Sequence, residues 1–283
     1  MVIQCQRRDA PVTKLKYRFT NDTLFKILFV KHPDLLKQLV ANMLKIPPGS
    51  ITEFEITNPE VPPEAVGDKF CRLDINMTVD GQRVDLEVQV SDEGDFPERS
   101  LYYWAREYSS ALGEGDEYIN LPRTIVISIV GFEMFGCVEF HSEFHALEVT
   151  RHTPLTDKFV MHYFELPKVP KTLAKDDELK LWLSLFNAKT EEELNQIEAL
   201  EVPIMSQAIM AYRSVTADEK FKELERLRSR ARHNEASALG HARREATKAE
   251  RAKWQGVVAN KDAAIAEQAA LIAELRAKIA EAK

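Results

Sequence analysis

The segment LDINMTVDGQRVDLEVQV, residues 73–90, crowds four carboxylates, Asp74, Asp80, Asp85 and Glu87, into a short stretch of alternating character. Asp80-Gly81 lies between two runs in which apolar and polar residues alternate. That is the pattern of two strands joined by a two-residue turn whose central residues take φ > 0. Such a turn sets the register: Val79 faces Gln82, and counting outward places Asp74 opposite Glu87, with Asp85 two residues away on the same face. Ile75, Met77, Val79, Val84, Leu86 and Val88 share the apolar face, and Asp74, Asn76, Arg83, Asp85, Glu87 and Gln89 the polar one. Directly opposed like charges are destabilising unless water screens them or a cation joins them. Two converging carboxylates suit a hard divalent ion such as Mg²⁺, which binds one or two carboxylates and keeps several waters. A solvated outer face, neutralised by Arg83 and Lys69, is the competing reading, because polar-out alternation is normal in antiparallel strands.

His141, Glu143 and His145 form a second cluster, on one face of a strand. Zinc takes such ligands, but residues four apart along a strand are roughly 13 Å apart, too far for both histidines to reach one ion. A solvated strand face is expected there. The chain has only 10 glycines and no Gly-rich phosphate loop, which argues against nucleotide binding. No Ser-His-Asp or Cys-His arrangement has a local signature.

These residues need a scaffold of strands and helices. A helix opens at Asn21, with Asp22 in its first turn; Pro33-Asp34 starts a second, ended by Pro47-Pro48-Gly49. Residues 59–67 hold three prolines and read as a loop. Strands are expected over 70–79, 82–90, 124–130, 140–149 and 158–166, and helices over 100–112, 177–187, 191–200 and 204–212. The β-branched run from Thr124 to Val130 reads as a strand buried on both faces. Interleaved strands and helices indicate an α/β fold, a mixed sheet flanked by helices.

Composition changes near residue 216. Residues 216–283 carry 15 Lys/Arg against 11 Asp/Glu, a net +4, whereas the first 215 carry a net −11. The tail is rich in Ala, Glu, Lys and Arg and lacks Pro, the signature of one long helix or coiled coil. Val258, Ile265, Ile272 and Ile279 recur every seven residues, a seam suited to a parallel two-stranded coil, although Lys261 and Gln268 weaken it and Gly240 and Gly256 weaken the helix before it. The organisation expected is a core over 1–170, a helical extension over 171–215 and a helical, coiled-coil tail over 216–283. The whole chain of 283 residues has 38 Lys/Arg and 45 Asp/Glu, which excludes a wholly basic nucleic-acid binder but not a local basic patch. Three scattered cysteines, Cys5, Cys71 and Cys137, argue against a disulfide scaffold or a structural zinc site. With no apolar signal segment and no membrane-length apolar run, a cytoplasmic protein without a membrane partner is expected.

Several segments, in order, resemble the Rpn family of recombination-promoting nucleases and transposases, in the PD-(D/E)XK nuclease superfamily. They are NDTLFKILF (21–29), DKFCRLDINM (68–77), VDLEVQV (84–90), FPERSLYYWAREY (96–108), EYINLPRTIVISIVGFEMF (117–135) and HYFEL (162–166). The resemblance implies a PD-(D/E)XK-like core and metal-dependent hydrolysis of DNA phosphodiesters. Asp74 matches the metal-binding aspartate of the second core strand, Glu87 the acid of the (D/E)XK strand, and Gln89 the lysine position; Leu73 stands where the superfamily has proline. Asp74 and Glu87 would hold Mg²⁺, or Mn²⁺ in its place, together with the Val88 carbonyl. Gln89 can orient a water but supplies no positive charge. Asp22 resembles the family's helix acid, which would reach the metal through water, or else compensates the helix dipole. Lys26, Lys69 and Arg99 are candidate phosphate contacts, Lys26 otherwise pairing with Asp22 at i,i+4. Tyr102 and Tyr103 are expected in the core rather than as stacking platforms.

The function expected is that of a Mg²⁺-dependent DNA endonuclease acting in recombination or transposition, homo-oligomeric through its tail. The alternatives are a catalytically silent DNA-binding protein on the same fold and a coiled-coil assembly protein.

Overall fold

The computed structural model describes residues 13–58 and 74–281. The expectations placed on Cys5, Lys69, Cys71, Leu73, the 59–67 loop and the first residues of the strand expected from Phe70 lie outside them. The hairpin forms as the turn dictates. Asp80 and Gly81 take φ of 46° and 73°. They join β2 (Ile75–Val79) to β3 (Gln82–Gln89) in the register Val79↔Gln82, Met77↔Val84 and Ile75↔Leu86. The Asp80 carboxylate has a second task. Its Oδ1 accepts from the backbone N–H groups of Thr52 and Glu53 at 2.9 and 2.8 Å, which starts β1 (Phe54–Ile56) alongside β2. A strand of three residues is too short to show a period in sequence, and β1 was not expected.

β4 (Thr124–Val130) is buried throughout, as its β-branched run requires. β5 (His141–His145) and β6 (Phe159–Glu165) complete a six-stranded sheet of order β1-β2-β3-β4-β6-β5. The central strands β3, β4 and β6 run parallel; β1, β2 and β5 pair antiparallel at the two sides.

Alternation along the strands splits the sheet into two faces. Ile75, Met77, Val84, Leu86, Ile125, Ile127, Ile129, Val160 and Phe164 point into the main core. That core is filled by α1 (Asp22–Lys31), α2 (Pro33–Met43), α4 (Glu178–Asn187), α5 (Glu191–Glu198) and α6 (Pro203–Ala217). The Asn21 side chain caps α1 by accepting from Leu24 N–H at 2.8 Å, and Thr190 and Glu193 form a capping box on α5. The segment 171–215 shares this core: Phe186 packs on Phe25 and Phe29, and Tyr212 stacks on Phe19 with ring centroids 4.7 Å apart.

The opposite face carries a smaller core of Phe96, Val126, Val130, Met161 and Tyr163 under α3 (Phe96–Ser109). Trp104 anchors α3 by donating its indole N–H to the Thr124 carbonyl at 2.9 Å.

The chain divides into two compact units, residues 1–225 and 226–283. A helix α7 (Glu219–Glu281) supplies the described part of the second. It continues through Gly240 and Gly256, carries ion pairs such as Lys248–Glu245 and Lys278–Glu274, and leaves Val258, Ile265, Ile272 and Ile279 exposed.

Candidate active site

The acidic residues of β3 sit on the face that α3 covers. Asp85 and Glu87 are each only 4% exposed. This corrects the reading of that face as solvated. Alternation alone tells which residues share a side of a strand, and here the polar side receives a helix instead of water. A buried carboxylate is costly unless paired, hydrogen-bonded or joined to a metal.

Glu87 lies in a polar row that crosses three strands. Ser128 of β4 is its lateral neighbour, and Tyr163 of β6 is the neighbour of Ser128. The Tyr163 hydroxyl shares a 2.6 Å hydrogen bond with Ser100 of α3. Burial raises the Tyr163 phenol above its ordinary range, the Ser100 bond works against this, and the negative charge of Glu87 adds to the rise. Ser100, Ser128 and Tyr163 were not singled out from sequence. Ser128 and Tyr163 lie far from the hairpin along the chain and reach Glu87 through the parallel pairing of β3, β4 and β6, while Ser100 comes over Tyr163 with the packing of α3.

Asp74 immediately precedes β2, one residue beyond the last ladder pair, Ile75↔Leu86. Its backbone is clamped by two side chains. The Lys26 ammonium donates to the Asp74 carbonyl at 2.8 Å and to Asn58 Oδ1 at 2.9 Å, and Asn58 Nδ2 also donates to the Asp74 carbonyl at 3.2 Å. Lys26 is 2% exposed. It therefore positions the start of β2 rather than presenting a charge at the surface. Asp22 stands at the first position of α1, where its Oδ1 accepts from Thr23 N–H at 2.8 Å.

Gln89 closes β3 and donates from Nε2 to the Ser91 carbonyl at 2.7 Å. Gly131 N–H bonds the Gln89 carbonyl, so that group faces β4 and the Val88 carbonyl, one residue back, faces the β2 side. Arg99, one turn into α3, is held by Glu93 at 2.5 Å and Asp95 at 3.6 Å, over the Phe96 ring. Tyr102, expected in the core, is 62% exposed, because α3 turns this position away from the sheet.

The donors at this site are carboxylate and carbonyl oxygens, the set that a hard ion prefers. Among the described residues, the group of three ligating side chains with all ligand atoms within 4.8 Å is His141, Glu143 and His162. A Mg²⁺ ion does not need a triple, since one or two carboxylates and water suffice.

A mixed sheet whose parallel centre carries buried acids on β3 is an α/β arrangement, a class in which ligands bind outside the carboxyl ends of the parallel strands. The family model for PD-(D/E)XK nuclease family transposases matches residues 19–242. The chain belongs to that family. Neither a curated protein nor a solved structure matches it significantly. No helix among the described residues is long and apolar enough to cross a membrane.

Proposed function

We propose that this chain is a Mg²⁺-dependent endonuclease that hydrolyses DNA phosphodiester bonds in recombination or transposition. The observation that carries the reading is the burial of Asp85 and Glu87 on β3, whose VDLEVQV run resembles the family's acidic motif, in a chain that belongs to that family. Asp74 and Glu87 would hold the ion with the Val88 carbonyl, Mn²⁺ serving in its place, and Asp22 would act through water. Bound there, the metal would supply a water of lowered pKa and charge for the developing phosphorane oxygens.

The protein's own residues do the rest. Lys26 and Asn58 hold the Asp74 backbone. Tyr163, fixed by Ser100, and Ser128 border Glu87 and limit the water around it. Gln89 orients the attacking water through its amide oxygen while its nitrogen is anchored on Ser91. Arg99 and Lys69 contact phosphate, and the Lys/Arg-rich part of the tail lies along the DNA backbone. The exposed isoleucine seam of α7 joins two copies of the chain in a parallel coil. Residues 1–170 make the nuclease core, 171–215 its helical extension and 216–283 the assembly tail, working in the cytoplasm.

The test is nicking of supercoiled plasmid with Mg²⁺, Ca²⁺ or EDTA, run on the wild type and Glu87→Ala. Mg²⁺-dependent nicking that disappears in the variant is the expected result. Equal rates in both would refute the assignment. Gln89 in place of a lysine favours a second reading, a DNA-binding protein without cleavage. DNA retention in a gel shift, with no nicking under any metal, would select it.

A further inference from the structure

β5 forms one edge of the sheet and pairs only with β6 among the described strands. Its register sets Glu143 directly opposite His162 and His141 opposite Phe164, so His141 lies diagonal to His162 on the same face. That face is the one continued by Val160 and Phe164 into the main core. Glu87 occupies the other side of the sheet, with Tyr163.

The His145 that sequence spacing put forward as a third ligand is too far along the strand to serve with His141. The third ligand comes instead from β6. His141 Nε2 lies 3.0 Å from His162 Nδ1, and Glu143 Oε2 lies 4.0 Å from the same nitrogen. Two nitrogens bound to one tetrahedral Zn²⁺ at 2.0–2.1 Å stand about 3.3 Å apart. The two imidazoles therefore stand close to ligating separation; binding would break their mutual hydrogen bond and turn each lone pair toward the ion, with Glu143, whose side chain is 38% exposed, closing in from 4.0 Å.

The surroundings hold these groups in place. The His141 ring stacks on Phe164 at 4.5 Å, and His162 is 5% exposed. His145 Nε2 bonds Glu143 Oε1 at 2.7 Å, the kind of outer contact that orients a ligating carboxylate. The Lys45 charge is near enough to both histidines to work against a bound cation, and the Glu143 carboxylate offsets it.

We propose that His141, Glu143 and His162 bind a transition-metal ion of the Zn²⁺ class, joining edge strand β5 to β6 on the sheet face opposite the nuclease acids. Two imidazoles and a carboxylate favour Zn²⁺ over Mg²⁺, and three protein ligands leave a fourth position to water. The site is independent of the nuclease reading.

The experiment uses the full chain, stripped with EDTA, and titrates it with Zn²⁺ in competition with a chromophoric chelator. Co²⁺ absorption reports coordination geometry. His162 is buried and its removal threatens the fold, so the variants are His141→Ala and Glu143→Gln, each first matched to the metal-free wild type by circular dichroism and Tm. Wild type and Glu87→Ala should each bind one Zn²⁺, undisplaced by excess Mg²⁺. His141→Ala should bind at least tenfold more weakly and lose the tetrahedral Co²⁺ bands, with Glu143→Gln replacing it if the alanine variant does not fold. No stoichiometric uptake by wild type, or a smaller loss in the folded variant, would overturn the site and leave the histidines as a simple hydrogen-bonded pair.

Discussion

Lys26→Met removes one charged group from beneath the candidate site while keeping most of the side chain's apolar volume. The wild-type ammonium makes bonds of 2.8 and 2.9 Å to the Asp74 carbonyl and Asn58 Oδ1. Hydrogen bonds to charged groups contribute about 1.5–3 kcal/mol each, so the pair amounts to roughly 3–6 kcal/mol. Burying an ammonium costs several kcal/mol, which methionine avoids. Asn58 still donates to the Asp74 carbonyl and still accepts from Asn76 N–H at 2.8 Å, so part of the knot survives. The net loss expected is about 1–3 kcal/mol, which at about 2–4 °C per kcal/mol for a unit of this size lowers Tm by roughly 2–12 °C. Asp74 also loses its main clamp. A misplacement of about 1 Å at a reacting centre can cost on the order of 100-fold in rate. The assays are a thermal melt, Mg²⁺-dependent plasmid nicking, and amide exchange at Asp74 to Asn76, which should accelerate. A variant that melts with the wild type and nicks at the wild-type rate would show that the ammonium does not hold the start of β2.

Other consequences are open to direct measurement. Gln89→Lys restores a charge at the strand end and should keep or raise nicking, whereas Gln89→Ala should lower it; a wild-type rate in the alanine variant would make this side chain a bystander. Burial pushes the Tyr212 phenol, which donates to the Tyr17 carbonyl at 2.7 Å, up to about 12. Its folded pKa exceeds the unfolded value of about 10, so its contribution is complete below pH 10 and is lost as pH rises through 12, by about 2–3 kcal/mol. Urea melts at pH 9, 10 and 11 should therefore show the wild type losing ground to Tyr212→Phe, and parallel curves would contradict the shift. Deleting 226–283, a cut that spares buried Phe221 and its 4.9 Å edge contact with Tyr17, should leave a folded unit of smaller oligomer size. Unchanged association by light scattering would mean that the isoleucine seam does not drive assembly.

Much of this molecule is local and could be read directly. A two-residue turn with φ > 0 at both centres admits few registers, so Asp80-Gly81 sufficed to align β2 with β3. The Asn21 cap, the proline at the start of α2 and the unbroken β-branched run of β4 act within a few residues, and each element formed where it was expected. The Ala/Glu/Lys/Arg tail specified its own helix for the same reason. Other features depended on partners distant in the chain. Whether Asp85 and Glu87 faced water rested on where α3 packs, which alternation within β3 does not encode. Tyr163 and Ser128 reached Glu87 through parallel pairing, whose long crossovers leave no mark at the residues themselves. β1 was too short to carry a period and took its place from Asp80 and β2. His162 joined His141 and Glu143 only through the β5–β6 register, because a strand spreads its own alternate side chains along its length, whereas its neighbour brings one within a few ångströms.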